Sequence, residues 1–145
     1  MSTCRNALHH GRGVRQVTGF RLATIARADS FSGLPQGITR WRLAGALRGA
    51  ARLLDLSAPM LQLLEYYIDC TYDIDWAQGS EPVIIRPLTE IAIALNRSER
   101  QIRNIEASLA ERGLLTWRDS GNHHRRGQRD RSTGRLLHAY GPSLA

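Results

Sequence analysis

The sequence predicts a mainly α-helical domain that ends in a small antiparallel β-sheet. Apolar residues recur at helical spacing in several stretches between positions 39 and 112. Thr39, Ser57 and Ser98 each precede such a stretch, and a hydroxyl at this place can cap a helix. The last third of the chain has two short strand-like runs, at 114–118 and 135–140, around a glycine-punctuated segment. Together these observations predict extra N-terminal helices, a central helix pair and a terminal β-hairpin.

The charge of the chain indicates a polyanionic partner. The 145 residues suffice for one small domain with tails, and they carry a net charge of +7 with a pI near 10.6. All 20 basic residues are arginine, so every basic contact can be a planar fork. Residues 1–52 carry +8, residues 53–95 carry −6 and residues 96–145 carry +5. A basic end on an acidic scaffold fits a protein that presents one face to DNA.

Several other classes of protein are disfavoured by the sequence. No apolar run approaches the ~18 residues of a membrane span, so no membrane association is expected. Cys4 and Cys70 are too few for a disulfide framework and lack metal-ligand spacing, which favours a reducing cytoplasm. The arginine-rich N-terminus could mimic an organellar transit peptide, but it is poor in serine. No Walker loop and no nucleophile–base pattern occurs, so we expect no enzyme, cofactor, metal or small-molecule substrate.

The N-terminal third divides at a turn over 34–37. The sequence of residues 1–33 predicts a basic, flexible arm with a short helix near 20–28. This arm either tracks phosphates or enters the minor groove, the alternative being a disordered tail. The folded domain is expected over 34–145. Thr39 is predicted to cap a helix to about Leu54. Ser57, with Pro59 in the first turn, is predicted to cap a helix to about Tyr72 that supports the rest.

The loop after this second helix contains a cluster of carboxylates. Asp69, Asp73 and Asp75 could hold a divalent metal or form a nuclease centre. Such a centre requires inward-facing carboxylates, a base and a cleft, and the loop is far in sequence from any histidine. We therefore expect a solvated acidic loop. A short strand is predicted to follow it at 82–85.

Residues 87–113 predict two helices joined by a tight corner. Ala92, Asn96 and Ile102 match the spacing of a small residue, a turn glycine and an aliphatic residue that is typical of a helix-turn-helix. Asparagine can replace the glycine because it enters the left-handed region readily. Arg97 departs from the pattern, since this position is often aliphatic. Ser98 is expected to cap the second helix, and Gly113 is expected to end it.

The second helix of this pair has two chemically different faces at ~100° per residue. Its apolar face is formed by Ile102, Ile105 and Leu109. The opposite face carries Arg100, Arg103, Asn104 and Ala107. Arginine can pair with guanine and asparagine with adenine in the major groove. Residues 98–112 are therefore the predicted recognition helix; the alternative is an ordinary helical hairpin with a solvated charged face.

The C-terminal segment completes the order of a winged helix. Strands over 114–118 and 135–140 would form a hairpin, with Leu136, Leu137 and Ala139 available to the core. Arginines in the intervening segment would lie on phosphates or in the minor groove, the alternative being a flexible basic loop. The predicted fold class is thus a winged helix-turn-helix with extra N-terminal helices and a small antiparallel β-wing. His123 and His124 are expected to be polar contacts of the wing.

Residues 34–145 resemble the N-terminal domain of RepC, the family of replication initiators of repABC-type bacterial plasmids. The most specific parts are the SERQIRN segment at 98–104 and the RDSGN segment at 118–122. The resemblance implies a winged-helix domain that recognises the replication origin. It implies major-groove contacts from Ser98, Arg100, Gln101, Arg103 and Asn104. It implies wing contacts from Asn122, Arg125, Arg126 and Arg129.

Sequence-specific binding of double-stranded DNA, for initiation of plasmid replication, is therefore the expected function. A transcriptional repressor of the winged-helix type would use the same residues, and a protein-interaction domain ranks lower because the outer face is polar. Self-association on DNA is compatible with either role. Family members extend beyond this domain, so the resemblance implies a DNA-binding fragment, a truncated paralogue or a short regulator that competes for origin sites.

Overall fold

The structure, a computed structural model, describes residues 19–118 and 125–145. Within these ranges the fold is mixed α/β, with five α-helices and one small antiparallel sheet, rather than mainly α as predicted. The helices are α1 Gly19–Asp29, α2 Arg40–Gly49, α3 Ala58–Cys70, α4 Leu88–Ala94 and α5 Glu99–Glu111. The strands are β1 Thr116–Arg118, β2 Arg126–Arg129 and β3 Leu136–Ser143.

Capping hydrogen bonds from nearby residues determine where α2 and α3 begin. The hydroxyl of Thr39 accepts a hydrogen bond from the Arg42 amide, and that of Ser57 accepts one from the Met60 amide. Both predicted caps are confirmed. α2 ends earlier than the predicted Leu54, because residues 50–55 form turns that bring Asp55 to a φ of 53°.

The core is built around α3. Its buried side chains are Leu63, Leu64, Tyr67 and Ile68, and the helix packs against both α2 and α5. One face joins Ile84, Ile91, Ile102, Leu109 and Leu115 in the main apolar cluster. Ile68 packs with Ala44 and Trp76 in a smaller cluster on the side of α2. The expected role of this helix as the central support is confirmed.

The predicted strand over 82–85 is reduced to a single bridge between Val83 and Ser143. The Ile84 amide donates to the Pro142 carbonyl at 2.7 Å, and the Leu144 amide donates to the Pro82 carbonyl at 3.0 Å. Both segments contain a proline without an amide hydrogen, so the ladder cannot continue.

The sheet has the order β1-β3-β2, which makes it larger than the predicted two-stranded hairpin. The end of β3 pairs with β1, from Arg118 opposite Gly141 to Thr116 opposite Ser143. Its start pairs with β2, with Arg126 opposite Tyr140. β2 was missed because its sequence, RGQR, has no strand propensity of its own.

The expected burial of Leu137 is wrong, since this side chain is 61% exposed. The register between β2 and β3 shifts at Gln128 and Arg129, which face His138 and Leu136 respectively. Leu137 is thereby the extra residue of a β-bulge and is left without a partner position across the ladder.

α1 confirms the short helix predicted near 20–28. It packs on β1, buries Thr24 and Ala28, and places the Asp29 carboxylate 2.7 Å from the Arg118 guanidinium. The boundary at residue 33 stays a prediction, and residues 1–18 lie outside the described part of the chain. No helix in the described ranges is long and apolar enough to cross a membrane.

Candidate nucleic-acid interface

The corner between α4 and α5 has the local geometry that the sequence predicts. Asn96 adopts a φ of 52°, and the Arg97 amide closes the turn on the Ala92 carbonyl at 3.0 Å. The Ser98 hydroxyl accepts from the Gln101 amide at 3.1 Å, while the Gln101 side-chain oxygen accepts from the Ser98 amide at 2.9 Å. This reciprocal pair is a capping box, and it fixes the first turn of α5. Gly113 ends the helix region with a φ of 72°.

The inner face of α5 contains one residue that sequence reasoning missed. Ile102 and Leu109 are fully buried as predicted, whereas Ile105 is only partly buried. Glu106 is 1% exposed and lies on the same buried stripe. Its position four residues after Ile102 and three before Leu109 was the available signal.

The outer face of α5, formed by Arg100, Arg103, Asn104 and Ala107, is exposed. Within the described ranges, neither guanidinium forms a hydrogen bond or an ion pair, and the Asn104 amide likewise has no partner. Ser98 and Gln101 are also exposed, but their side chains are used in the capping box. The helix therefore offers two arginines and one amide that are free to bind a ligand.

Many arginines elsewhere are held by the acidic residues of the protein itself. The Arg40 guanidinium lies 2.8 Å from Asp73, and the Arg112 guanidinium lies 2.9 Å from Asp55. Arg118 is held between Asp29 and Glu81, both at 2.7 Å. Further pairs join Arg48 to Glu65, Arg125 to Glu106 and Arg129 to Asp75. Acidic residues, most of them from the acidic middle of the sequence, thus neutralise basic groups away from the outer face of α5.

The predicted wing residues divide into two groups. Arg126 is exposed, with its guanidinium 5.3 Å from the centre of the Tyr140 ring. The side chains of Arg125 and Arg129 are only 11% and 17% exposed, and both form internal ion pairs. Asn122, His123 and His124 lie outside the described residues. DNA contact by the wing stays a prediction.

Asp75 corrects the expectation of a solvated acidic loop. Its carboxylate is 1% exposed and accepts two hydrogen bonds from Arg129, at 2.8 and 2.7 Å. Arg129 also donates to the Gly134 carbonyl and lies 3.7 Å from the centre of the Tyr72 ring. Asp73, by contrast, is exposed as expected. Among the described residues, no group of three potential metal ligands converges.

Glu106 is part of a buried polar triad with Tyr67 and Arg125. The Tyr67 hydroxyl and the Arg125 guanidinium both donate to its carboxylate. Burial and the neighbouring Glu106 raise the pKa of Tyr67 far above its ordinary value. Burial by itself would lower the pKa of Arg125, but Glu106 and Tyr67 outweigh this effect and raise it. Both groups therefore stay protonated near neutral pH, so the triad is a fixed set of charge-assisted hydrogen bonds.

The turn of the hairpin formed by β2 and β3 is also ordered by a carboxylate. Asp130 accepts hydrogen bonds from the Ser132 hydroxyl and from the amides of Ser132 and Thr133. These bonds lower the pKa of Asp130 to about 2. The chain then turns back through Gly134 at a φ of 76°, which presents Arg131 at the tip.

The described residues thus define a class of small α/β domain in which a capped helix presents free arginines beside a β-hairpin. A family model described as the replication protein C N-terminal domain matches residues 15–145. The chain belongs to this family, which confirms the resemblance found in the sequence and indicates a role in plasmid replication. Searches of curated proteins and of solved structures found no match.

Proposed function

We propose that the chain binds double-stranded DNA sequence-specifically and recognises the plasmid replication origin. The observation that carries the proposal is the contrast between Arg100 and Arg103, which have no internal partner, and the many arginines that acidic residues hold elsewhere. Two guanidiniums and the Asn104 amide on one helix face match the donor and acceptor pattern of base edges in the major groove. The order of helix pair, strand and hairpin is compatible with a winged helix-turn-helix, which supports the proposal.

The hairpin supplies the second contact in this proposal. Arg126 is exposed and already ordered over Tyr140, so it can approach a phosphate at little cost in side-chain entropy. Arg125 and Arg129 act through the structure of the hairpin instead of touching DNA. The mechanism is binding without a chemical step. Incubating the protein with supercoiled DNA and magnesium tests the last point, and nicking of the DNA would contradict it.

Substitutions on α5 and on the hairpin test the assignment of contacts. A preferred sequence is first selected from a random duplex library, and affinities for it and for a scrambled duplex are then compared. Arg103→Ala and Asn104→Ala should lose roughly 1–3 kcal/mol on the selected sequence and lose base preference. Arg126→Ala should weaken both duplexes equally, because phosphates carry no sequence information. If the α5 variants lost the same binding free energy on both duplexes, the assignment of base contacts to α5 would be contradicted.

A transcriptional regulator of the winged-helix type is the second candidate. Both candidates use the same exposed face. The position of the bound sequence separates them, because a repressor would occupy a promoter and an initiator would occupy an origin. Self-association on DNA is tested in the same titrations by whether binding to tandem sites is cooperative.

A further inference from the structure

Glu106 is an unusual residue at its position. It lies on the buried stripe of α5 between Ile102 and Leu109, where apolar side chains would pack well. Burial of a carboxylate is costly unless it is paired and hydrogen-bonded. The partners of Glu106 come from two other parts of the chain, so the cost is offset only if those parts occupy one particular place.

The triad joins three elements in a closed triangle. Tyr67 belongs to α3, Glu106 to α5, and Arg125 immediately precedes β2. Both Tyr67 and Arg125 donate to the Glu106 carboxylate, and Arg125 also donates to the Tyr67 hydroxyl at 3.1 Å. A buried ion pair adds little net stability compared with apolar packing. The hydrogen bonds of this pair are directional, however, so they restrict where residue 125 can lie relative to the axis of α5.

Successive side chains of β2 point to opposite faces of the strand, so the restriction on Arg125 also limits where its exposed neighbour Arg126 can lie. Arg125, Gly127 and Arg129 point toward the protein, whereas Arg126 and Gln128 are exposed. The inward residues are closely packed, since a Cβ at Gly127 would meet the Ile85 side chain at 2.5 Å. At the far end of β2, Arg129 is held by Asp75. The position of Arg126 is therefore set by its inward neighbours.

We infer that Tyr67, Glu106 and Arg125 are positioning residues that hold Arg126 at a fixed place relative to the outer face of α5. The helix and the hairpin can then engage one duplex together without an ordering cost for the hairpin. The DNA part of this inference rests on the proposed function, whereas the geometric part does not. None of the three residues contacts DNA.

The salt dependence of DNA binding tests the inference, since its slope counts phosphate contacts and not the fraction of folded protein. Binding to a fluorescein-labelled duplex of mixed sequence is measured between about 50 and 200 mM salt. In the native background, Arg126→Ala should make the slope of log K against log salt less negative by about 1. Glu106→Gln should make it less negative by about the same amount. Arg126→Ala should then cause no further change in the Glu106→Gln background.

Matched control variants separate a loss of positioning from a loss of charge and from a loss of folding. Glu111→Gln removes the same charge from an exposed site on α5 and should leave the slope unchanged. Tyr67→Phe removes only the buried hydroxyl, so it provides a second variant if Glu106→Gln does not fold. Tyr66→Phe is its control, because the Tyr66 hydroxyl bonds with Arg86 at the surface. The inference would be overturned if the change in slope caused by Arg126→Ala added to that caused by Glu106→Gln, or to that caused by Tyr67→Phe, in the double variant.

A measurement without DNA keeps the inference distinct from the proposed function. Spin labels at Ala107→Cys on α5 and Gln128→Cys on β2, with Cys4→Ser and Cys70→Ser, report the distance between helix and hairpin by pulsed electron paramagnetic resonance. We expect one narrow distance distribution, which Glu106→Gln or Tyr67→Phe broadens or shifts and Glu111→Gln does not. An unchanged distribution in both triad variants would overturn the inference. If the native chain binds no DNA while the triad variants still broaden the distribution, only the proposed function is overturned.

Discussion

At the scale of single residues, the structure decides which charges are available to a partner. Arg100 and Arg129 are the same residue type, and each lies in a basic stretch of the sequence. One is exposed on α5, and the other is held by a buried carboxylate. The difference arises because Asp75, 54 positions away, lies beside Arg129 in the fold. Net charge therefore indicates a polyanionic partner, but only tertiary contacts show which arginines can reach it.

The two aspartates of the loop after α3 provide a prediction at this scale. Asp75→Asn should lower the free energy of unfolding by roughly 3–5 kcal/mol, because it leaves the largely buried Arg129 without a counter-charge. Asp73→Asn should lower it by less than about 1 kcal/mol, since its carboxylate is exposed and Arg40 keeps carbonyl acceptors at the end of α3. Urea unfolding measures both. Equal effects of the two substitutions would contradict a structural role for the buried pair.

At the scale of elements, β3 organises the C-terminal part of the chain. It pairs with β2 along its first half and with β1 along its last three residues. Gly141 lies where the strand passes from one partner to the other. A Cβ there would collide with the Ile84 carbonyl oxygen, and its φ of 155° is rare for other residues. The sheet thus depends on one glycine that brings β3 against the segment before α4.

Two glycine substitutions with opposite outcomes test this dependence. Gly141→Ala should lower the free energy of unfolding by more than about 2 kcal/mol, because backbone atoms must move apart. Gly45→Ala should raise it by roughly 0.5–1 kcal/mol, since Gly45 lies in α2 with nothing within 4 Å of an added Cβ. Urea unfolding is the measurement. A Gly141→Ala protein of native stability would contradict the close approach of β3.

At the scale of the whole molecule, α1 belongs to the packed structure although it lies in the predicted arm. It buries Ala28, and its Asp29 joins Glu81 in holding Arg118 of β1. The predicted boundary after residue 33 would separate this helix from the sheet that it covers. The amino-acid pattern did not indicate this packing, because the contacts of α1 are made with β1, which lies far along the chain.

A pair of truncated chains tests the place of the boundary. A chain that begins at Gly19 should have a free energy of unfolding about 2 kcal/mol higher than one that begins at Leu34, because the shorter chain exposes β1 and leaves Arg118 with Glu81 as its acidic partner. Circular dichroism during urea titration measures the difference. Identical stabilities would show that α1 contributes nothing, and the boundary predicted at residue 33 would then hold.

The sequence by itself determined the local features of this protein. Thr39, Ser57 and Ser98 mark helix starts, and Asn96 and Gly113 mark turns, because capping and left-handed backbone depend on residues only a few positions apart. The family resemblance and the exposed outer face of α5 also followed from sequence. Tertiary structure alone decided the partners of Glu106, the capture of Arg125 and Arg129, and the existence of β2. Each of these depends on partners far away in the chain, and a polar segment becomes a strand or a buried pair only when the fold supplies those partners.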